Sequence, residues 1–207
     1  MFLACGMTLV IMLGGIDLSV GSVIAMVGCF AAGFISYLGL PSGAASLLAI
    51  LLGACLGLFN GAVAAFTTIP PFIITLATMN IGRGIARVYS ATKTITVSDS
   101  FFKSIAATYV GPIPIQVIYI VIVVALTAVI LNRTQLGRHI LATGGNMQAA
   151  AYSGVNTKVV TLFVFVYSSI LASLAGIISS SRLFSGTHTA GESAEMDAIA
   201  AVVLGGT

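Results

Sequence analysis

The chain contains no tryptophan, five acids and eight lysines or arginines in 207 residues, and only 6% of it is charged. Soluble globular domains carry about 25% charged residues, so a water-soluble globule is excluded. Without tryptophan, any aromatic belt at a membrane interface must come from tyrosine and phenylalanine. The formal charge of +3 arises from a few clustered residues, and the basic stripe that a nucleic-acid face requires is missing. Cys5, Cys29 and Cys55 lie inside apolar runs with no histidine or cysteine nearby, so metal-ligand spacing is absent. The first residues lack a basic n-region and a small-residue cleavage pattern, so they do not read as a signal peptide. No glycine-rich phosphate loop ending in Gly-Lys-Ser or Gly-Lys-Thr occurs. If the protein does ATP-driven work, the nucleotide belongs to another polypeptide.

What remains is apolar: 58% of residues are hydrophobic and the mean hydropathy is +1.15. This composition marks an integral membrane protein. The runs are 1–13, 18–40, 44–66, 71–89, 115–131 and 159–180. A spanning helix takes roughly 20 residues, so five spans and a shortened first one are expected. The fold class is all-α, a polytopic transmembrane helical bundle. Residues 1–207 read as one transmembrane domain, truncated at both ends, within a longer chain.

Two connections are long. Residues 132–158 carry Arg133, Arg138, Lys158 and His139 with no acid, and the positive-inside rule assigns them to the cytoplasm. Residues 91–114, with Lys93, Lys103 and Asp99, then fall outside. Arg83 and Arg87 lie in the second half of the 71–89 run. Arg87 can snorkel to the outer interface, whereas Arg83, about one turn deeper, needs an acidic or carbonyl partner. A re-entrant course for the first half of this run is the alternative. Gly53, Gly57 and Gly61 recur every fourth residue, the spacing of a close helix–helix seam in lipid.

Four blocks carry specific pattern. Residues 13–21 read Leu-Gly-Gly-Ile-Asp-Leu-Ser-Val-Gly and contain the only acid before Asp99. A carboxylate between two membrane runs is costly unless hydrogen-bonded, paired or wet, so Asp17 is expected to satisfy backbone donors or Ser19. Gly14, Gly15 and Gly21 let the backbone turn or approach a neighbour there. The second block runs from Gly137 to Val155 through Gly144-Gly145-Asn146 and Ala149-Ala150-Ala151-Tyr152-Ser153-Gly154. Asn146 suits an N-cap and Gly154 a C-terminal stop, with a short helix over 147–153 between them. The third block is Asn60-Gly61 followed by Ile69-Pro70-Pro71-Phe72, where consecutive prolines end one helix and set an extended entry to the next. The fourth, 190–207, holds Glu192, Glu195 and Asp197 ahead of an apolar run. Glu192 and Glu195 would share a helix face, and acids are favourable at a helix start. Neither an activated nucleophile nor a metal set accompanies any of these residues, and Ser179–Ser181 has no triad companions, so no catalytic or metal site is expected.

Together these blocks resemble the ribose-type (monosaccharide) ABC importer permeases of the branched-chain amino acid/ribose permease superfamily. The 13–21 segment matches the family's Gly-Gly-Ile-Asp-Leu-Ser-Val-Gly motif. The 137–154 segment matches its ATPase-contacting coupling pattern, and 190–207 departs from the family's final block only at Met196. The resemblance implies a monosaccharide permease in the bacterial inner membrane, with no cofactor of its own because ATP binds the partner subunit. It further implies an ABC ATPase docked on Gly144, Gly145, Asn146, Ala149, Ala150, Ser153 and Gly154. A second permease chain, identical or related, and a periplasmic or lipid-anchored sugar-binding protein complete the assembly. Gly14, Gly15, Asp17, Ser19 and Gly21 form the helix-break motif, and Asn60, Pro70, Pro71 and Phe72 the helix junction. The competing reading is an ion-coupled secondary carrier, which also uses broken helices and glycine-rich spans.

Overall fold

The computed structural model describes residues 1–206. Its elements are α1 (Phe2–Met12), α2 (Val20–Ser36), α3 (Ser42–Phe66), α4 (Pro71–Tyr89), β1 (Ile95–Thr96), α5 (Ser100–Ala107), β2 (Tyr109–Val110) and β3 (Ile113–Pro114). They continue with α6 (Ile115–Arg133), α7 (Gln135–Gly145), α8 (Met147–Tyr152), α9 (Thr157–Leu183), β4 (Ser185–Gly186) and α10 (Ala194–Leu204). Proline places three of the long helices. Pro41, Pro70 and Pro114 stand at the N-caps of α3, α4 and α6, and Pro71 opens α4. Proline costs nothing there, because a first-turn N–H has no intrahelical acceptor to lose.

α9 is the axis of the bundle and packs against α1, α2 and α3. Its seam with α3 runs along the three spaced glycines. A Cβ on Gly57 would stand 2.5 Å from Ser169 Cβ and 2.7 Å from the Phe165 carbonyl, and one on Gly61 would stand 3.0 Å from Leu162 Cα. The two backbones are therefore closer than any larger residue permits.

Two ends of the bundle can be followed from shared contacts. The starts of α4 and α9 border one cleft together with the end of α7. Their far ends are tied by the antiparallel pair β1–β4, Ile95 opposite Gly186. α4 is thus a continuous helix crossing the whole bundle, and the re-entrant alternative is set aside. Arg133, Arg138 and Lys158 sit at the cleft end, while Arg87, Lys93, Lys103 and Arg182 sit at the other. The contrast in basic charge between the two long connections is lost in space, because Arg87 and Arg182 join the second group and give that end four basic residues against three.

Three expectations need revision. Helices α3, α6 and α9 are long and apolar enough to cross a membrane, fewer than the five anticipated. α4 has the length but carries Asn80, Arg83 and Arg87, and α2 is shortened to 17 residues, at its start where Asp17 and Ser19 engage each other and more at its end, where Gly39 takes φ +64° ahead of Pro41. The two long connections are also structured. Within 91–114, Asp99 caps α5 by accepting the Phe102 N–H at 2.9 Å, and Ser181 Oγ donates to the Phe102 carbonyl at 2.6 Å. The Ser42 hydroxyl, followed by that N–H, holds the Asp99 carboxyl below the usual carboxylate range. Within 132–158, α7 precedes the short helix that the sequence indicates. Finally, Glu192 lies in the turn before α10, since Ser193 at φ +63° caps that helix; Glu192 and Glu195 do not share a helix face.

Candidate functional site

The 13–21 segment does not simply link two helices. At the end of α1, the Met12 carbonyl lies against Gly144 at the end of α7. Asp17, five residues on, meets Ser168, which lies 11 residues into α9, about 17 Å from its start. Residues 13–19 therefore climb back into the bundle, and α2 begins at mid-depth.

There Asp17 is fully buried. Its Oδ1 accepts from Ser19 N at 3.0 Å and Ser19 Oγ at 2.6 Å, and its Oδ2 accepts from Ser168 Oγ at 3.1 Å. Asn60 Nδ2 donates to Ser19 Oγ at 3.0 Å, while Thr75 Oγ1 receives Leu18 N and reaches the Ile16 carbonyl, each at 3.1 Å. The α1–α2 break is thus fastened to α9 by the Asp17 carboxylate, to α3 through Ser19, and to α4 by Thr75 on the backbone of 16 and 18. Donors on both oxygens supply what a buried carboxylate needs without a cation. Gly21 lies apart from this network, against Glu195 at the start of α10. Sequence reasoning missed Ser168; its only signal was a small polar pair, Ser168-Ser169, inside an apolar run.

The other motifs converge at the cleft end. A cleft of about 610 Å³ is lined by Gly14, Gly15, Pro70, Pro71, Gly144, Gly145, Asn146 and Lys158 among others. Segments far apart in sequence, from the helix break, the proline junction and the 137–154 block, share its walls. α8 projects beside it: Asn146 Oδ1 accepts the Ala149 N–H at 2.9 Å, and Gly154 at φ +86° ends the turn. Gly145, Asn146, Ala149, Ser153 and Gly154 are exposed. Two residues assigned to the ATPase contact are not. Ala150 is 5% exposed and seats α8 on its own chain. Gly144 lies where a Cβ would collide with the Met12 carbonyl, so it permits the close approach of α7 to α1.

Phe72 is exposed on α4, on the same side as Asn80 and Arg87. Arg83 finds carbonyl partners: Nη1 donates to His188 and Ala190 at 3.1 and 2.9 Å, and Nη2 reaches Gly191 at 3.4 Å. The segment it holds follows α2 inward, with Gly186 against Gly28 and Gly191 against Gly21. α10 therefore also starts at mid-depth. Among the described residues no cluster of potential metal ligands occurs.

The whole of 1–207 matches the family model described as branched-chain amino acid transport system / permease component. The chain is 45% identical over 209 residues to the ribose import permease protein RbsC of Haemophilus influenzae, covering 99% of this chain and 64% of that protein. It is 42% identical to the Bacillus subtilis protein of the same name, with the same coverage. To the D-allose transport system permease protein AlsC of Escherichia coli it is 40% identical over 198 residues, covering 95% of this chain and 60% of that one. The chain thus spans about 64% of the length of the ribose permeases it matches. No solved structure matches. A multi-pass helical membrane protein that matches this model from end to end belongs to the family of branched-chain amino acid transport system permease components.

Proposed function

We propose that this chain is the membrane-embedded part of a sugar permease, the transport subunit of an ATP-driven importer in the bacterial inner membrane. The names of its relatives support a monosaccharide such as ribose or allose as substrate. ATP is hydrolysed by a separate ATPase that docks on the cleft end, a binding protein delivers sugar at the other end, and a second permease chain completes the pathway. The single observation that carries this reading is the cleft end itself. α8 is a capped helix of six residues with little packing of its own, held out beside the segment that bears Asp17. A helix so short is marginal in isolation, and its exposed Ala149, Ser153 and Gly154 present low relief to a partner groove. Movement of α8 and α7 reaches the α1–α2 break through the Gly144–Met12 approach, and from there the helices fastened by Asp17. A carrier coupled to a metal cation would need open ligands at the break, whereas both oxygens of Asp17 already receive donors from the chain.

The test is co-purification. The full-length protein, tagged and extracted in mild detergent from its host, should elute with an ATPase in stoichiometric amount. Nothing lies within 4 Å of a Cβ at Gly145, so Gly145→Arg should insert and fold normally and lose the ATPase. A variant that keeps its ATPase counts against the docking site, and a wild-type protein that elutes alone and intact counts against the importer.

A further inference from the structure

α4 packs on α2 and α3, and its opposite side is uncovered. Ile73, Leu76, Ala77, Asn80, Gly84 and Arg87 lie there within an arc of about 100°, all exposed except the half-buried Gly84. Asn80 is the midpoint of α4, about 14 Å from either end. Its Nδ2 donates to the Leu76 carbonyl at 2.9 Å, which spends one of two amide hydrogens. The other hydrogen and Oδ1 have no partner among the described residues. An amide left half-satisfied at that depth is costly against hydrocarbon. The exposed middles of α3 and α6 suit lipid, with Leu51, Leu52 and Leu58 on the first and Val121, Ile122 and Val124 on the second. Water suits the amide of α4 but not its surroundings, since Ile73, Leu76, Ile81, Ile85 and Val88 are exposed around it. One amide ringed by aliphatic side chains is matched by another helix, which bonds the first and packs the rest.

The chemistry of Asn80 says which helix. Two copies of one chain inserted in the same orientation are related by a two-fold axis along the membrane normal, so a residue near the axis meets its own counterpart at its own depth. Such a residue must be complementary to itself. An amide is, because it gives and accepts, and Asn80 has one hydrogen and one oxygen left to exchange. A helix of any other origin would have to bring a donor and an acceptor to this depth independently. The backbones can come close, because Ala77 and Gly84 flank Asn80 and nothing lies within 4 Å of a Cβ at Gly84. On the Ile85 side the face borders an apolar recess of about 290 Å³, lined by Met26, Phe30, Leu52, Cys55 and Leu56, which has room for an aliphatic side chain from the opposite copy. Arg87 sits in the last turn of α4, where two guanidinium groups extend apart into water on their flexible stems.

We propose that a second copy of this chain docks on the face of α4 centred on Ala77, Asn80 and Gly84, with the two Asn80 amides hydrogen-bonded across the axis. The proposal rests on the transport reading above for the presence of a second permease chain, and it makes that chain identical and fixes the surface it uses. The test uses the full-length protein with its partners in host membranes, carried on two different tags in the same cells. Every cysteine is changed to alanine, Cys5, Cys29 and Cys55 among them, and Ala77→Cys, Gly84→Cys or Val121→Cys is added. Oxidation with copper phenanthroline should give a species bearing both tags at 77 and 84, several-fold more abundant than at 121. Cross-linking at 77 and 84 no greater than at 121, or a product joining this chain to a different polypeptide, overturns the proposal. The Asn80 side chain bonds only its own helix within the described residues, so Asn80→Leu should insert at normal yield. Added to Gly84→Cys, it should lower cross-linking several-fold while Asn80→Gln preserves it; cross-linking unchanged by Asn80→Leu also overturns the proposal. ATPase co-elution is followed on the same membranes once solubilised. Both tags in the cross-linked species without an ATPase would fail the ATP-driven reading and leave this interface standing; an ATPase without the cross-link would do the reverse.

Discussion

At the scale of single residues, Asp17 is a fastening rather than a reactive group. Its carboxylate is the common acceptor for Ser19 and Ser168, which belong to different helical segments. Asp17→Ala strands those buried donors, each at about 1–3 kcal/mol, so the full-length protein in detergent should unfold at lower temperature and lose uptake. Asp17→Asn keeps an oxygen for the Ser19 donors, and the Ser168 hydroxyl can turn to accept from the new amide, so it should retain most of the stability. Wild-type melting and uptake in the alanine variant would sink the assignment. The requirement that Asp17 be hydrogen-bonded was legible in the sequence, because a lone acid between apolar runs has few other ways to persist. Ser168 was not, since nothing along the chain says which of many serines a residue 151 positions away will meet.

Among elements, the contact of α3 with α9 shows what a short repeat can and cannot reveal. The spacing of Gly53, Gly57 and Gly61 indicated a face, and the structure supplies its partner, the small-residue side of α9 around Ser169 and Ser173. Gly57→Ala would press a methyl onto Ser169 Cβ and the Phe165 backbone, an overpacking cost of about 1–3 kcal/mol. Gly84→Ala, with nothing within 4 Å, should instead stabilise its helix by up to about 1 kcal/mol. Thermal unfolding of the two variants in parallel checks the contrast, and equal shifts would count against the seam. The start of α4 and both ends of the capped helix α8 were readable from Pro70, Pro71, Asn146 and Gly154, because capping chemistry is local. α5 and α7 were not. α5 is steadied by Ser181 and Asp99, the first of these a tertiary contact, and α7 lies in a stretch whose mixed polarity gives no long apolar run.

For the molecule as a whole, three motifs that are separate in sequence share one cleft, while a fourth segment, 184–193, turns inward at the opposite end. The family resemblance identified each motif, yet their convergence is a property of the fold. It follows from α1 ending beside α7 and from α4 and α9 starting at the same level. Of the five spans expected, three meet the length and apolarity of a membrane span; apolarity along the chain does not foresee that α2 ends after 17 residues or that α4 carries Asn80, Arg83 and Arg87.

The hold of Arg83 on the inward segment has a practical side. Its acceptors are main-chain oxygens at 188, 190 and 191, atoms that every amino acid possesses. Replacing His188 with alanine leaves its acceptor in place, and position 190 is already alanine. A side-chain survey would therefore miss these acceptors at 188 and 190, and would register Gly191 only for its positive φ and its approach to the Gly21 carbonyl. The hydrogen bonds themselves are visible from one end only, at position 83, so a genetic map of this protein would show a sensitive arginine with no sensitive acceptor side chain opposite it.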